Sequence, residues 1–311
     1  MKILLILIFA PLIALALLYF LFPEQLVRMM RALMRRRARL VRKSITVDGR
    51  TWPYLEGGDP SKPTLVMIHG FGADKDHWTF YAPWMTRDYR LIAPDLPGFG
   101  ENDRDGGLPF DVASQAARLK GFLDALGIDR PHLGGNSMGG WIALRFAIDY
   151  PDRLRTLTLM NNAGVVGANE SELQKLAATR DYNPLVLANL EDADRLIAFV
   201  VRKPPFVPAR LKPAIYADAL RHRDLLDRIF WIIADEMEQA PLNDDLGKVQ
   251  VPTLILWGRH DKLIDVSCVA VLEKGIANSR AHIFEHVAHV PMIEDPKATA
   301  EIQRAFLADH P

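Results

Sequence analysis

Only one cysteine, Cys268, stands among the 311 residues. A lone thiol excludes an intrachain disulfide and a metal cluster built from thiolates. No low-complexity tract and no internal repeat interrupts the chain. With 49% hydrophobic and 24% charged residues, the composition excludes a disordered chain, a collagen and a polytopic membrane protein. The length allows one large domain or two small ones, enough to bury a sizeable core. Net charge is also lacking, at zero overall, but this hides an asymmetry. Residues 23–43 carry eight basic side chains against the single Glu24, whereas residues 44–311 hold 29 basic and 37 acidic ones. A body of that sign is not expected to bind nucleic acid.

Charge is absent altogether from residues 3–22. As a helix these 20 residues would span about 30 Å, one hydrocarbon core. Residues 1–22 therefore read as a transmembrane anchor, and 23–43 as a basic amphipathic juxtamembrane segment, with the bilayer as a partner through 1–43. The alternative is a signal peptide cleaved near Ala14-Leu15-Ala16, which would export the protein, but the apolar run continues past that point. Because the cations follow the span, the positive-inside rule makes this a single-pass protein with its body on the cytoplasmic face. Arg28, Arg31, Arg35, Arg39 and Arg42 fall within about 80° on one helical face, with Leu26, Met30, Leu33, Leu40 and Val41 broadly opposite. That stripe is expected to lie on anionic headgroups, a solvated basic linker being the plainer reading. A chain starting near Ser44 is then expected to remain active on a water-soluble ester.

From Ser44 to the C-terminus, short β-rich runs alternate with helical stretches, as in a mostly parallel sheet covered by helices. Strands are expected at residues 44–47, 64–68, 90–93, 132–134, 157–160, 253–257 and 281–284, and a helix from Trp141 to the stop at Pro151. Between about 164 and 246 the strand signal disappears, which predicts an inserted helical cap. Its apolar Leu185, Val186, Leu187, Phe199, Val200, Phe206 and Val207 are candidates for an acyl channel or for a plain cap core.

Gly135-Asn136-Ser137-Met138-Gly139-Gly140 fits G-x-S-x-G between a strand and a helix. A nucleophile on so tight a turn projects its hydroxyl above the sheet, and the glycines avoid collisions with neighbouring backbone. The plain alternative is a glycine-rich turn. Serine needs a base and an orienting carboxylate to become nucleophilic. Asp261, just after the strand ending at Trp257, is the favoured acid, with Asp265 as runner-up; the loop after Leu159 offers Asn161 and Asn162 instead of a carboxylate. His289 follows the last strand and completes the order Ser, Asp, His. His282, His286 and His289 are spread over a strand and a loop, not one helical face, so no metal is expected. No organic cofactor is expected either. In His69-Gly70-Phe71-Gly72 the N–H of Phe71 pairs with that of Met138 as an oxyanion hole, while His69 reads as a packing residue. Asp95 to Gly100 reads as a rigid loop that shapes the pocket.

Together these residues resemble the α/β-hydrolase superfamily over about 62–307, and within it the membrane-anchored monoacylglycerol lipases. The anchor, His69-Gly70-Phe71, Asn136-Ser137-Met138-Gly139-Gly140, the run from Val251-Pro252-Thr253 to Trp257-Gly258, and Ile264-Asp265-Val266-Ser267 carry the likeness. It implies an α/β-hydrolase fold, a mostly parallel sheet with an inserted helical cap, over 44–311, preceded by an N-terminal transmembrane helix. It also implies Ser137, Asp261 and His289 as a triad with Phe71 and Met138 as oxyanion donors. Ala288 departs from the glycine that many relatives carry before the base. The function expected is a membrane-bound serine hydrolase that cleaves carboxylic esters through an acyl-enzyme, with a monoacylglycerol or similar single-chain lipid as substrate. Gly135 to Gly140 and Tyr150-Pro151-Asp152-Arg153 also look like the carbon-carbon bond hydrolases of aromatic meta-cleavage products, but those are typically soluble, and Val290-Pro291 follows His289 where an aromatic would. A non-catalytic α/β-hydrolase scaffold is the third reading; it would lack a triad member, and none is missing.

Overall fold

The structure, a computed structural model, describes residues 13–311. Residues 3–12 of the apolar run lie outside the described residues. Its remainder forms helix α1 (Ile13–Leu21), followed after Phe22 by α2 (Pro23–Arg37), and the two are bent by 117°. Pro23 has no N–H to continue the ladder and is suited to a first helical turn, so the chain restarts there. No single described helix is long and apolar enough to cross a membrane; α1 and α2 reach that length only as a bent pair. Helix α2 packs against the body, on the helix Lys212–Arg221, the strand Leu40–Val47 and the turn Ala209–Leu211.

The chain continues through β1 (Leu40–Val47), β2 (Arg50–Gly57), β3 (Thr64–Ile68), α3 (Ala82–Met85), β4 (Arg90–Pro94), α4 (Val112–Ala125), β5 (His132–Asn136), α5 (Met138–Asp149) and β6 (Thr156–Met160). Helices α6 (Glu172–Ala177), α7 (Asp192–Val200), α8 (Lys212–Arg221) and α9 (Arg223–Gln239) intervene before β7 (Thr253–Gly258), α10 (Cys268–Gly275), β8 (Ser279–Phe284), α11 (Pro291–Glu294) and α12 (Pro296–Ala308). The eight strands form one sheet in the order β1-β2-β4-β3-β5-β6-β7-β8. The β1–β2 and β2–β4 pairs are antiparallel and the others parallel.

Alternation along the inner strands explains why both faces are covered. Val66, Ile68, Ile92, Leu157, Leu159, Ile255 and Trp257 meet the helices α4, α5 and α10 on one face. Leu65, Met67, Leu91, Ala93, Leu254 and Leu256 meet α3 and α12 on the other. Side chains of period two with both faces apolar produce the near-continuous hydrophobic runs of buried parallel strands. The expected strands are present, with β1 longer than its predicted 44–47 and β2 in addition. Pro53 and the polar residues of β2 hid it, and Pro is tolerated there because the strand pairs near the sheet edge.

The arginine stripe is corrected. The helix stops at Arg37, Arg39 has a positive φ of 56°, and Arg42 belongs to β1. Arg35 binds Asp76 through two hydrogen bonds of 2.6 Å, Arg31 reaches Asp74 at 3.4 Å, and Arg42 reaches Glu101 at 2.5 Å. Leu26, Ala38 and Leu40 are buried, so this side of the segment faces the body, and carboxylates of the body take the place expected for headgroups. Arg28, Arg36, Arg37 and Arg39 are exposed, and Arg42 and Lys43 are exposed while paired with Glu101 and Glu56.

Candidate active site

The site lies at the carboxyl ends of the parallel strands, where open α/β sheets bind ligands. Ser137 follows β5 with φ 57° and ψ −123°, a conformation that a non-glycine residue holds only under constraint. The constraint is visible: the Ser137 N–H donates to the Met160 carbonyl at 3.0 Å, and the Ser137 carbonyl accepts from Trp141 and Ala163 at 3.0 and 3.1 Å. The glycines around it have no room for a side chain. A Cβ at Gly135 would stand 2.3 Å from the Gly139 carbonyl oxygen, and one at Gly139 would stand 2.4 Å from those of Ile68 and His69.

His289 and Asp261 are both buried, and His289 Nδ1 lies 2.8 Å from Asp261 Oδ2. A carboxylate there makes Nδ1 the donor and leaves Nε2 as the acceptor. The other Asp261 oxygen accepts the N–H groups of Leu263 and Ile264 at 2.8 and 3.1 Å. Asn136 ties the elbow to the histidine loop, its Nδ2 donating to the carbonyls of Met160 and His289 at 3.0 Å each. The Ser137 hydroxyl makes no hydrogen bond to His289, an open arrangement common before substrate binds. Asp265 instead accepts from Ser267 N and Asn169 Nδ2, away from the histidine. His286 pairs with Asp295 at 2.8 Å, and His282 is exposed on β8, so the three histidines do not converge.

The backbone N–H groups of Phe71 and Met138 have no acceptor among the described residues. Both residues line a cavity of about 610 Å³ together with Ser137. His69 packs as expected: its Nδ1–H donates to the Gly70 carbonyl at 2.8 Å, and Nε2 accepts from Leu96 N at 3.0 Å. Burial lowers its pKa to about 4, so it stays neutral. The Asp95 loop is rigid for a reason the sequence concealed. Asp95 accepts from Lys75 Nζ at 2.6 Å, Lys75 N at 2.8 Å and Glu101 N at 2.8 Å, in a pair wholly buried behind the Phe71 loop.

Leu185 is the one proposed channel residue on the cavity wall. The apolar lining comes instead from Phe230, Ile233 and Met237 of α9, with Trp141 and Cys268, because Leu187 is buried within the cap and Phe206 points into solvent. Burial raises the Cys268 thiol to about 12, which leaves it an inert wall. Sequence reasoning missed Asn161. It sits at the end of β6 with φ 44°, and its Nδ2 donates to Asp261 Oδ2 at 2.6 Å and to the Ala288 carbonyl at 3.2 Å. The available signal was an asparagine at a strand's carboxyl end, a residue type that tolerates the left-handed region.

The family model described as the alpha/beta hydrolase fold matches residues 63–296. The chain belongs to the α/β-hydrolase family. Among its relatives in this family, Lipase 1 of Psychrobacter immobilis is 34% identical over 85% of the chain and 83% of its own length. The monoacylglycerol lipase ABHD6 of Homo sapiens is 28% identical over 96% of the chain and 91% of its own. A solved structure, a membrane phospholipase A described as a bacterial virulence factor, superposes with a TM-score of 0.89 at 38% identity, covering 99% of both chains.

Proposed function

We propose that the protein is a membrane-tethered serine hydrolase that cleaves carboxylic esters of lipids through an acyl-enzyme, with Ser137, Asp261 and His289 as its triad. One observation carries this: Ser137, held in a strained left-handed turn, faces a largely apolar cavity beside two unbonded N–H groups, and Asn136 next to it ties the elbow to the loop of the His289–Asp261 pair. Ser137 Oγ attacks the ester carbonyl carbon while His289 Nε2 takes its proton. The negative charge that develops on the carbonyl oxygen is met by the N–H groups of Phe71 and Met138. The intermediate then expels the alcohol, which leaves with the proton from His289. Water attacks the acyl-enzyme by the same route, releasing the fatty acid and restoring Ser137.

The substrate we propose is a monoacylglycerol or similar single-chain lipid ester. A 610 Å³ cavity lies within the usual range of about 300–1,000 Å³ for small-molecule sites. Its apolar wall suits an acyl chain, and the likeness to a protein named monoacylglycerol lipase supports this reading. The likeness to a phospholipase A over the whole chain supports a second substrate, the acyl ester of a glycerophospholipid. The apolar run of residues 3–22 is the proposed tether, with the cations after it favouring a cytoplasmic domain. Ser137→Ala is expected to lower turnover about 10⁴- to 10⁶-fold and to abolish labelling by an organophosphonate. Specificity constants for a monoacylglycerol series, a triacylglycerol, a phospholipid and a ring-cleavage dienoate then identify the substrate. Efficient turnover of the dienoate with negligible ester hydrolysis rejects the lipase reading.

A further inference from the structure

Phe206 is 90% exposed, more than any other large apolar side chain among the described residues. A single exposed apolar residue is ordinary; its surroundings are not. Pro204, Pro205 and Pro208 restrict the backbone around it, so the ring is presented on a stiff loop. Arg202 and Lys203 beside it are exposed, and the Arg202 guanidinium donates only to the Glu285 carbonyl, at 3.4 Å, with neither side chain in an ion pair among the described residues. Two residues beyond Pro208, Arg210 donates from Nε at 3.1 Å and from Nη2 to the carbonyl of Phe20, and its guanidinium lies 5.8 Å from the Phe20 ring. That carbonyl belongs to the last turn of α1, where backbone oxygens lack helical partners. Helix α2 packs against α8 and the turn Ala209–Leu211. The loop is thus fixed where the exposed apolar side chains of α1 (Ile13, Leu15, Leu17, Phe20 and Leu21) meet the domain.

We propose that the cap loop 201–208 is a second membrane contact, in which Phe206 inserts below the headgroups of an anionic bilayer while Arg202 and Lys203 bind lipid phosphates. An aromatic ring flanked by cations suits this boundary, where apolar burial and phosphate attraction add. The inference rests on reading α1 as the end of a membrane anchor. A single tether leaves a domain free to swivel, whereas two points set its orientation. The loop also leaves Val200, whose carbonyl accepts the His289 N–H at 3.1 Å, so the contact stands beside the site that lipid must enter.

The test uses the full chain in liposomes of phosphatidylcholine with and without phosphatidylglycerol. A nitroxide is placed at position 206 through Phe206→Cys in a Cys268→Ala background, with Asp129→Cys, beyond the other end of the sheet, as the aqueous control. At 206 oxygen is expected to relax the label more than a water-soluble nickel chelate does, and at 129 the reverse. In the otherwise native chain, Phe206→Asp is expected to raise KM for a bilayer-borne ester about tenfold, the loss of one buried aromatic, with kcat/KM on a water-soluble ester unchanged. Arg202→Glu with Lys203→Glu is expected to raise KM only on phosphatidylglycerol liposomes. A chain that floats with liposomes while position 206 stays as open to nickel as position 129 overturns the proposal and leaves the anchor standing. A parent chain that does not float overturns both. Protection at 206 in native membranes but not in liposomes replaces the bilayer with a protein partner and also overturns it.

Discussion

Asn161 occupies the place after β6 where sequence inspection sought a carboxylate and found none. Its amide nitrogen, 2.6 Å from Asp261 Oδ2, neutralises part of a buried negative charge that also bonds His289. The same amide reaches the Ala288 carbonyl, and its oxygen accepts from Gly258 N at 3.3 Å, so one side chain joins β6, β7 and the histidine loop. A hydrogen bond to a charged group contributes about 1.5–3 kcal/mol. Asn161→Ala is therefore expected to lower kcat on a soluble ester about 10- to 100-fold with KM nearly unchanged, and to shift the acidic limb of the kcat profile as His289 loses orientation. A purely structural role would lower the folded fraction and leave the profile of the remaining enzyme in place.

Helix α2 and β1 act as one element of the body. The helix buries Leu26 and pins Arg35 to Asp76, in the turn that follows the Phe71 loop. Strand β1 pairs with β2 along its whole length, from Leu40 opposite Gly57 to Val47 opposite Arg50. A chain starting at Ser44, expected from sequence to keep activity, removes half of β1 and exposes the edge of β2. That chain is expected to aggregate, because an unpaired strand edge templates further pairing. A chain starting at Pro23 keeps both elements. It is expected to remain soluble, to keep the Tm of the full chain within a few degrees, and to hydrolyse a short ester at the full rate. Circular dichroism melts and a soluble-ester assay of the two truncations check this, and equal stability of both would reject the structural role of α2 and β1.

Across the whole molecule, burial lowers the pKa of His69, His77 and His132, and it acts furthest on His69 and His132, which are sealed into the fold in the neutral form. His69 uses Nε2 as an acceptor for Leu96 N, and His132 lies against Thr156 with its Nε2 buried and unbonded. Burial lowers both to about 4, from an ordinary value of 6.5. Above pH 6.5 neither the folded nor the unfolded chain protonates them, and the stability they permit is fully present. As pH falls from 6.5 toward 4, the unfolded chain takes up protons that the folded chain refuses, and stability is lost over that window at about 1.4 kcal/mol per pH unit per histidine. Urea midpoints at pH 7.5, 6 and 5 are expected to decline accordingly, with a shallower slope in His132→Gln. A midpoint that does not move between pH 7.5 and 5 would contradict the neutral burial of both residues.

Short-range pattern determined a large part of this protein. Continuous apolar runs marked the parallel strands, and the glycines around Ser137 marked the turn, because backbone geometry there depends on immediate neighbours. The ranking of Asp261 over Asp265 followed from chain order and the end of β7, and the 2.8 Å contact between Asp261 and His289 came with β7 and β8 lying side by side. Contacts between distant segments decided the rest. Arginines 31, 35 and 42 met carboxylates of the body 43, 41 and 59 residues away, and Lys75 found Asp95 in the interior. Asn161 came to serve a carboxylate 100 residues later. Helical periodicity tells which residues share a face but not what that face meets, since its partner is chosen by the packing of the whole chain.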